Sequence, residues 1–263
     1  MTIAIGKIEY QRGTHPVTAL GFSYSEMELN EALANDVKKI VFDVEETQEI
    51  SNILQNTGFV KESIEKIFNP SLISTENWRI GESIAQCYLS NHRQCFFPWH
   101  SHRDERQTKS SLPGADLVGF QIIDNHTYFA CVEVKTSSEN QHPPRVMTGN
   151  SGLESQIKKI VENETSKSVL IKYLAYRCVN VNWEHLFKEA FQNFLENSNN
   201  MRLFGFLIRD TKPNSKDIER SIENLAKYTS SNPYIEFLVL YLPDKSIPSL
   251  SSKITNYQYG GVA

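Results

Sequence analysis

With 263 residues, 40% hydrophobic and 22% charged content and a formal net charge of −4, the chain has the length of one large domain and the balance of an ordinary globular protein. No apolar run approaches the ~18 residues of a membrane helix, the start lacks a signal-peptide layout, and the dispersed cysteines (Cys87, Cys95, Cys131, Cys178) form no C-x-x-C. Helical membrane proteins and disulfide frameworks are thereby excluded, and a cytoplasmic protein with reduced thiols is expected.

Residues 1–75 hold 6 basic and 11 acidic side chains, a net of −5, so the remainder carries +1. This opening part mixes short apolar runs (Val17–Phe22, Lys39–Val44) with an acidic, helix-prone stretch from Glu45 to Phe68, which Asn69–Pro70 breaks. It contains no catalytic motif. Residues 1–74 read as an N-terminal acidic extension, suited to docking a basic partner or simply to solvation, and residues 75–263 as the working domain.

From Thr75 to Leu89, Trp78, Ile84, Ala85, Tyr88 and Leu89 fit helical spacing. Glu82 sits among Gly81, Ser83 and Ala85, small neighbours that let a helix approach a sheet closely; a solvated surface glutamate is the plain alternative. Asn91–Ser111 is polar and basic and reads as a loop, with Arg103 and Arg106 as candidate phosphate contacts. A zinc site from Cys87, Cys95, His100 and His102 is conceivable there, although C-x7-C-x4-H-x-H matches no usual structural spacing.

The central stretch is Leu112–Ser137. Two apolar runs, Ala115–Ile123 and Thr127–Val134, flank the turn-forming pair Asp124–Asn125, the signature of a β-hairpin. A two-residue turn places Asp116 directly opposite Glu133, with their side chains roughly 5 Å apart on one face. Lys135 shares that face, while Val132 and Val134 point to the other. Like charges placed opposite each other destabilise a sheet, so a cation is expected between them. Two hard carboxylates suit Mg²⁺, with Mn²⁺ as a substitute, and the set of Asp116, Glu133 and Lys135 reads as a phosphodiesterase site. An ordinary ion-pair cluster on a solvated sheet is the competing reading.

Ser138–Gly152 reads as a substrate-side loop carrying Arg145, and a helix from Leu153 to about Asn163 carries Gln156, Lys158 and Lys159, all candidate nucleic-acid contacts. Gly149-Asn150-Ser151-Gly152 is not a G-x-S-x-G nucleophile elbow, so acyl transfer is disfavoured. Val169–Cys178 looks buried, and Trp183, Leu186, Phe187, Ala190, Phe191, Phe194 and Leu195 make an amphipathic stripe. Leu203–Ile208 and Tyr234–Leu242 read as parallel strands joined by a helix over Lys216–Tyr228, and the last twenty residues as peripheral.

The order helix Glu82, strand Asp116, then Glu133-Val134-Lys135 resembles the PD-(D/E)xK nuclease superfamily. GESIAQCYL, SLPGADLVGF, EVKTS and FGFLIRD are similar, more narrowly, to the nuclease subunits (HamA and AbpA type) of Hachiman-type antiphage defence systems. The resemblance runs from about Trp78 to Leu242 and has Gly114–Ala115 before Asp116, where the superfamily has its proline. It implies an α/β fold with an αβββαβ restriction-endonuclease-like core, a mixed sheet flanked by helices and a helical insertion at about 153–198. It further implies a Mg-dependent deoxyribonuclease with Asp116, Glu133 and Glu82 on the metal and Lys135 at the attacking water, working with a HamB-like helicase. A nuclease-fold subunit that binds DNA or the helicase without cleaving is the alternative. No G-x-x-x-x-G-K-[ST] phosphate loop couples this chain itself to ATP.

Overall fold

The computed structural model describes residues 2–55, 75–104, 114–229 and 231–259. Their strands form one seven-stranded mixed sheet, in the order β1-β2-β7-β6-β5-β4-β3. The strands are β1 (Lys7–Thr14), β2 (Val17–Ser23), β3 (Cys95–Phe96), β4 (Leu117–Ile123), β5 (His126–Ser137), β6 (Met201–Arg209) and β7 (Tyr234–Tyr241). β2, β7, β6 and β5 run parallel, and antiparallel pairs finish both sides of the sheet. Strands covered on both faces need apolar side chains on both, which is why β6 and β7 are nearly unbroken apolar runs.

Helices cover both faces. On one lie α1 (Glu26–Ala32), α2 (Lys38–Val41), α3 (Val44–Gln55), α4 (Asn77–His92) and α9 (Leu250–Tyr259); a π-helical turn, Leu33–Val37, joins α1 to α2. Leu29, Val41, Ile84, Tyr88 and Leu250 from this layer enclose one core with Phe22, Val132, Val134 and Phe206 of the sheet. On the other face lie α5 (Leu153–Glu162), α6 (Glu164–Ala175), α7 (Glu184–Glu196) and α8 (Glu219–Ala226). Leu153, Ile157, Leu170, Ala190 and Leu225 pack there on Phe129, Cys131, Leu203 and Phe237. Phe191 and Leu195 of the expected α7 stripe stay exposed, because the helix buries only the narrower line through Ala190.

The hairpin has the expected two-residue turn: Asp124 (φ 49°) and Asn125 (φ 63°) both adopt the left-handed conformation that such turns require and that Asp and Asn tolerate. Leu117 pairs with Val132 and Val118 with Cys131. The helical insertion is α5, α6 and α7, between the parallel neighbours β5 and β6.

Three expectations are corrected. Of the expected extension over residues 1–74, the described residues 2–55 are not separate from the domain, since β2 pairs with β7 along its whole length and Phe22 is buried in the common core. The segment Asn91–Ser111 is not all loop: Cys95 and Phe96 pair with Gln121 and Phe120, too short a strand for any periodicity to reveal. The last residues are not peripheral, because α9 buries Leu250 and Ile254 completely.

Candidate active site

Asp116 and Glu133 lie on the same face of the hairpin. Side chains alternate along a strand, and Val118 and Cys131, two positions inward on each strand, belong to the core under α5 to α8, whereas Val132 and Val134 belong to the other core. Asp116 stands immediately before β4, where backbone pairing has ended. Its Oδ2 accepts the Val134 N–H at 2.7 Å, in place of the next rung of the ladder. Lys135 Nζ donates to Glu133 Oε1 at 2.6 Å. One oxygen of each carboxylate thus has a protein partner, and among the described residues Asp116 Oδ1 and Glu133 Oε2 have none, which leaves them for another donor or a cation.

Glu82 reaches the same end of β5 from the opposite layer, on α4. The approach is close because Gly81 has no side chain: a Cβ there would sit 2.5 Å from Thr136 Oγ1 and 3.3 Å from Ile208 Cδ1. Glycine costs a helix about 1 kcal/mol relative to alanine, and here it lets α4 rest on β5. Glu82 is thereby near enough for its charge to act on Lys135.

The electrostatics follow from burial. Glu133 is 4% exposed, and burial together with the Asp116 charge pushes its pKa up to about 7, against the pull of Lys135. Burial also raises Asp116, opposed by the Val134 N–H and by Lys135. For Lys135, burial works to remove the proton, and the carboxylates of Glu133, Asp116 and Glu82 outweigh it, so the ammonium holds its proton more tightly than usual. Two acids thus share one half-buried ammonium, and a divalent cation would relieve the surplus negative charge.

The donor set fits a hard cation held by two carboxylates. Mg²⁺ keeps several waters and takes one or two carboxylates at such sites, and Asp116 and Glu133 offer one unengaged oxygen each. Glu82, expected as a third ligand, does not converge with them. Among the described residues, three ligand atoms come within 4.8 Å of one another only at Asp43, Glu46 and His100. The sequence reading missed that cluster, whose members come from distant segments with no motif spacing. Arg103 already bridges it, with Nη2 2.5 Å from Asp43 Oδ1 and 2.7 Å from Glu46 Oε1.

Arg103 is therefore committed to an ion-pair cluster and is not free for phosphate. Arg145 is exposed, with Nε 3.6 Å from Glu139 Oε1. Lys158 turns away, its Nζ 3.8 Å from the centre of the Tyr228 ring. Gln156 and Lys159 do come to the site: with Gly114, Glu133 and Leu170 they line a cavity of about 190 Å³ between β5, α5 and α6. Arg106 lies outside the described residues. Of the zinc set, the described members Cys87, Cys95 and His100 do not converge, Cys87 and Cys95 are buried free thiols whose pKa values burial drives up, which opposes thiolate ligation, and the side chain of His102 lies outside the described residues.

No helix among the described residues is long and apolar enough to cross a membrane. No protein-family model and no curated protein matches the chain.

Proposed function

We propose that this chain is a metal-dependent nuclease that hydrolyses DNA phosphodiester bonds at Asp116, Glu133 and Lys135. The observation that carries the reading is the buried Glu133 bonded to Lys135 at 2.6 Å, with Asp116 fixed across the hairpin on the same face. A solvated ion-pair cluster would have no reason to bury Glu133 beside a half-buried Asp116 and hold both pKa values up, because burial of like charges is unfavourable without a compensating cation. The run α4, then the antiparallel meander β3-β4-β5, then α5 and the parallel β6 follows the αβββαβ order of the PD-(D/E)xK core and supports that assignment.

In this mechanism Asp116 and Glu133 would hold Mg²⁺, which would supply Lewis-acid charge at the phosphate. Lys135 directs the attacking water with its ammonium and offsets charge gathering on the phosphoryl oxygens. Glu82 keeps Lys135 protonated and turned toward Glu133, a positioning role. The attacking water loses a proton to solvent as its oxygen forms the new bond to phosphorus, the bond to the departing sugar oxygen breaks, and that oxygen takes up a proton from solvent, so that one water is added across the broken bond.

Resemblance at the sequence level supports a helicase partner in an antiphage complex, and the exposed Glu45 and Glu49 of α3 offer an acidic surface for a basic partner. The test of the catalytic reading is cleavage of plasmid and linear DNA by the pure chain with Mg²⁺ or with chelator. Activity is expected only with metal, falling at least about 100-fold in Glu133→Gln and Lys135→Met while their circular dichroism stays unchanged. DNA bound with no cleavage under any divalent ion would instead favour a non-cleaving nuclease-fold subunit.

A further inference from the structure

The proposed catalytic groups leave unused a second polar cluster at the C-terminal ends of the parallel strands. Arg209, Asp217 and Tyr241 are almost wholly buried there. Asp217 Oδ2 is 2.9 Å from the Tyr241 hydroxyl and 3.7 Å from Arg209 Nε, and the Tyr10 hydroxyl lies 2.9 Å from that of Tyr241. Arg209 Nη2 donates to the carbonyls of Glu139 at 2.5 Å and Gln141 at 3.2 Å. The guanidinium therefore pins the loop that leaves β5.

His142, in that loop, places Nδ1 2.6 Å from Asp217 Oδ1. An ionised carboxylate only accepts, so Nδ1 carries the hydrogen and the tautomer is fixed. Nε2 has no partner among the described residues, and the ring is 22% exposed while Asp217 is 0% exposed. A loop already tied down by Arg209 does not need an oriented imidazole with one nitrogen left over.

The location relates this histidine to the catalytic groups. Ser137 is two residues beyond Lys135 on the same face, and Arg209 pairs directly with Ser137. The backbone of Arg209 therefore stands about 8 Å from that of Lys135, one strand across on the same face, and His142 is joined to Arg209 through Asp217. We propose that His142, when protonated and held by Asp217, binds a substrate phosphate flanking the scissile one; this rests on the nuclease reading above. The charged group facing it is Asp217; Arg209 of β6 and Tyr241 of β7 contact Asp217 in turn, Tyr10 of β1 contacts Tyr241, and Glu139 and Arg145 in its own loop are paired to each other.

The experiment measures DNA affinity of the full chain in chelator, against salt at pH 6, for the wild type, His142→Gln and His142→Lys. His142→Gln should weaken binding about tenfold, the cost of one charge-assisted hydrogen bond. It should also lower the slope of log affinity on log salt by about 0.9, one phosphate contact. His142→Lys should keep the wild-type salt slope. An unchanged affinity and salt slope in His142→Gln overturns the proposal and leaves His142 as a loop anchor. Cleavage with Mg²⁺ in parallel separates the two readings. DNA cleaved with no dependence of binding on His142 sinks this inference alone, binding that depends on His142 without cleavage sinks the nuclease reading and reduces His142 to a phosphate contact of a non-cleaving subunit, and no DNA binding at all sinks both.

Discussion

Glu133 is the residue at which fold and proposed chemistry pull in opposite directions. Its carboxyl is held up to about 7 by burial and by Asp116, so the metal-free fold binds a proton that the unfolded chain has released at the same pH. The sign follows: its contribution to stability is fully present below the ordinary glutamate range and is lost as pH rises through about 7. Thermal unfolding of the metal-free protein should therefore show a midpoint that falls from pH 5 to pH 8. Glu133→Gln should flatten the profile and be more stable than wild type at pH 8, the usual cost of a strained functional site removed. Mg²⁺ should protect more at pH 8 than at pH 6, because it competes with the proton for the same oxygens. A flat wild-type profile would contradict this electrostatic account. The pairing of Asp116 with Glu133 was legible in sequence because alternation and a two-residue turn leave one register. That Arg103 is consumed by Asp43 and Glu46 was not, since ion pairs between residues 60 positions apart leave no local pattern.

Among the elements, α4 determines whether Glu82 reaches Lys135. The glycine at position 81 brings α4 against β5, and its surroundings make the point testable. Gly81→Ala should destabilise the protein by about 1–3 kcal/mol, the typical result of overpacking, and should reduce cleavage by moving Glu82 away. Thr136→Ala in the same chain should recover part of both losses by removing the Oγ1 that the new methyl meets. Additive losses in the double variant, measured by denaturant unfolding, would place the effect elsewhere. Small residues around Glu82 announced this close approach before any coordinates. The two-residue β3 gave no such signal, and it completes the meander only because β4 presents a free edge to it.

At the scale of the whole molecule, the sheet joins the two ends of the chain. β1 and β2 lie beyond β7, β2 shares its core, and α9 packs into the same core. The acidic composition of residues 1–75 concealed this, because net charge reports on surface and β2 is mostly buried. Deleting residues 1–24 should abolish cooperative thermal unfolding, and a truncated chain that melts cooperatively at the wild-type temperature would refute an integral β2. Any test of partner docking therefore belongs on the exposed Glu45 and Glu49, where charge reversal leaves the sheet whole. The central claim is the pairing of Asp116 and Glu133 around a divalent ion, and anomalous diffraction from a Mn²⁺-soaked crystal measures it most directly. The account predicts a peak bonded to oxygens of both Asp116 and Glu133, absent in Glu133→Gln; a sole peak at Asp43, Glu46 and His100, with Glu133 still closed on Lys135, would contradict it.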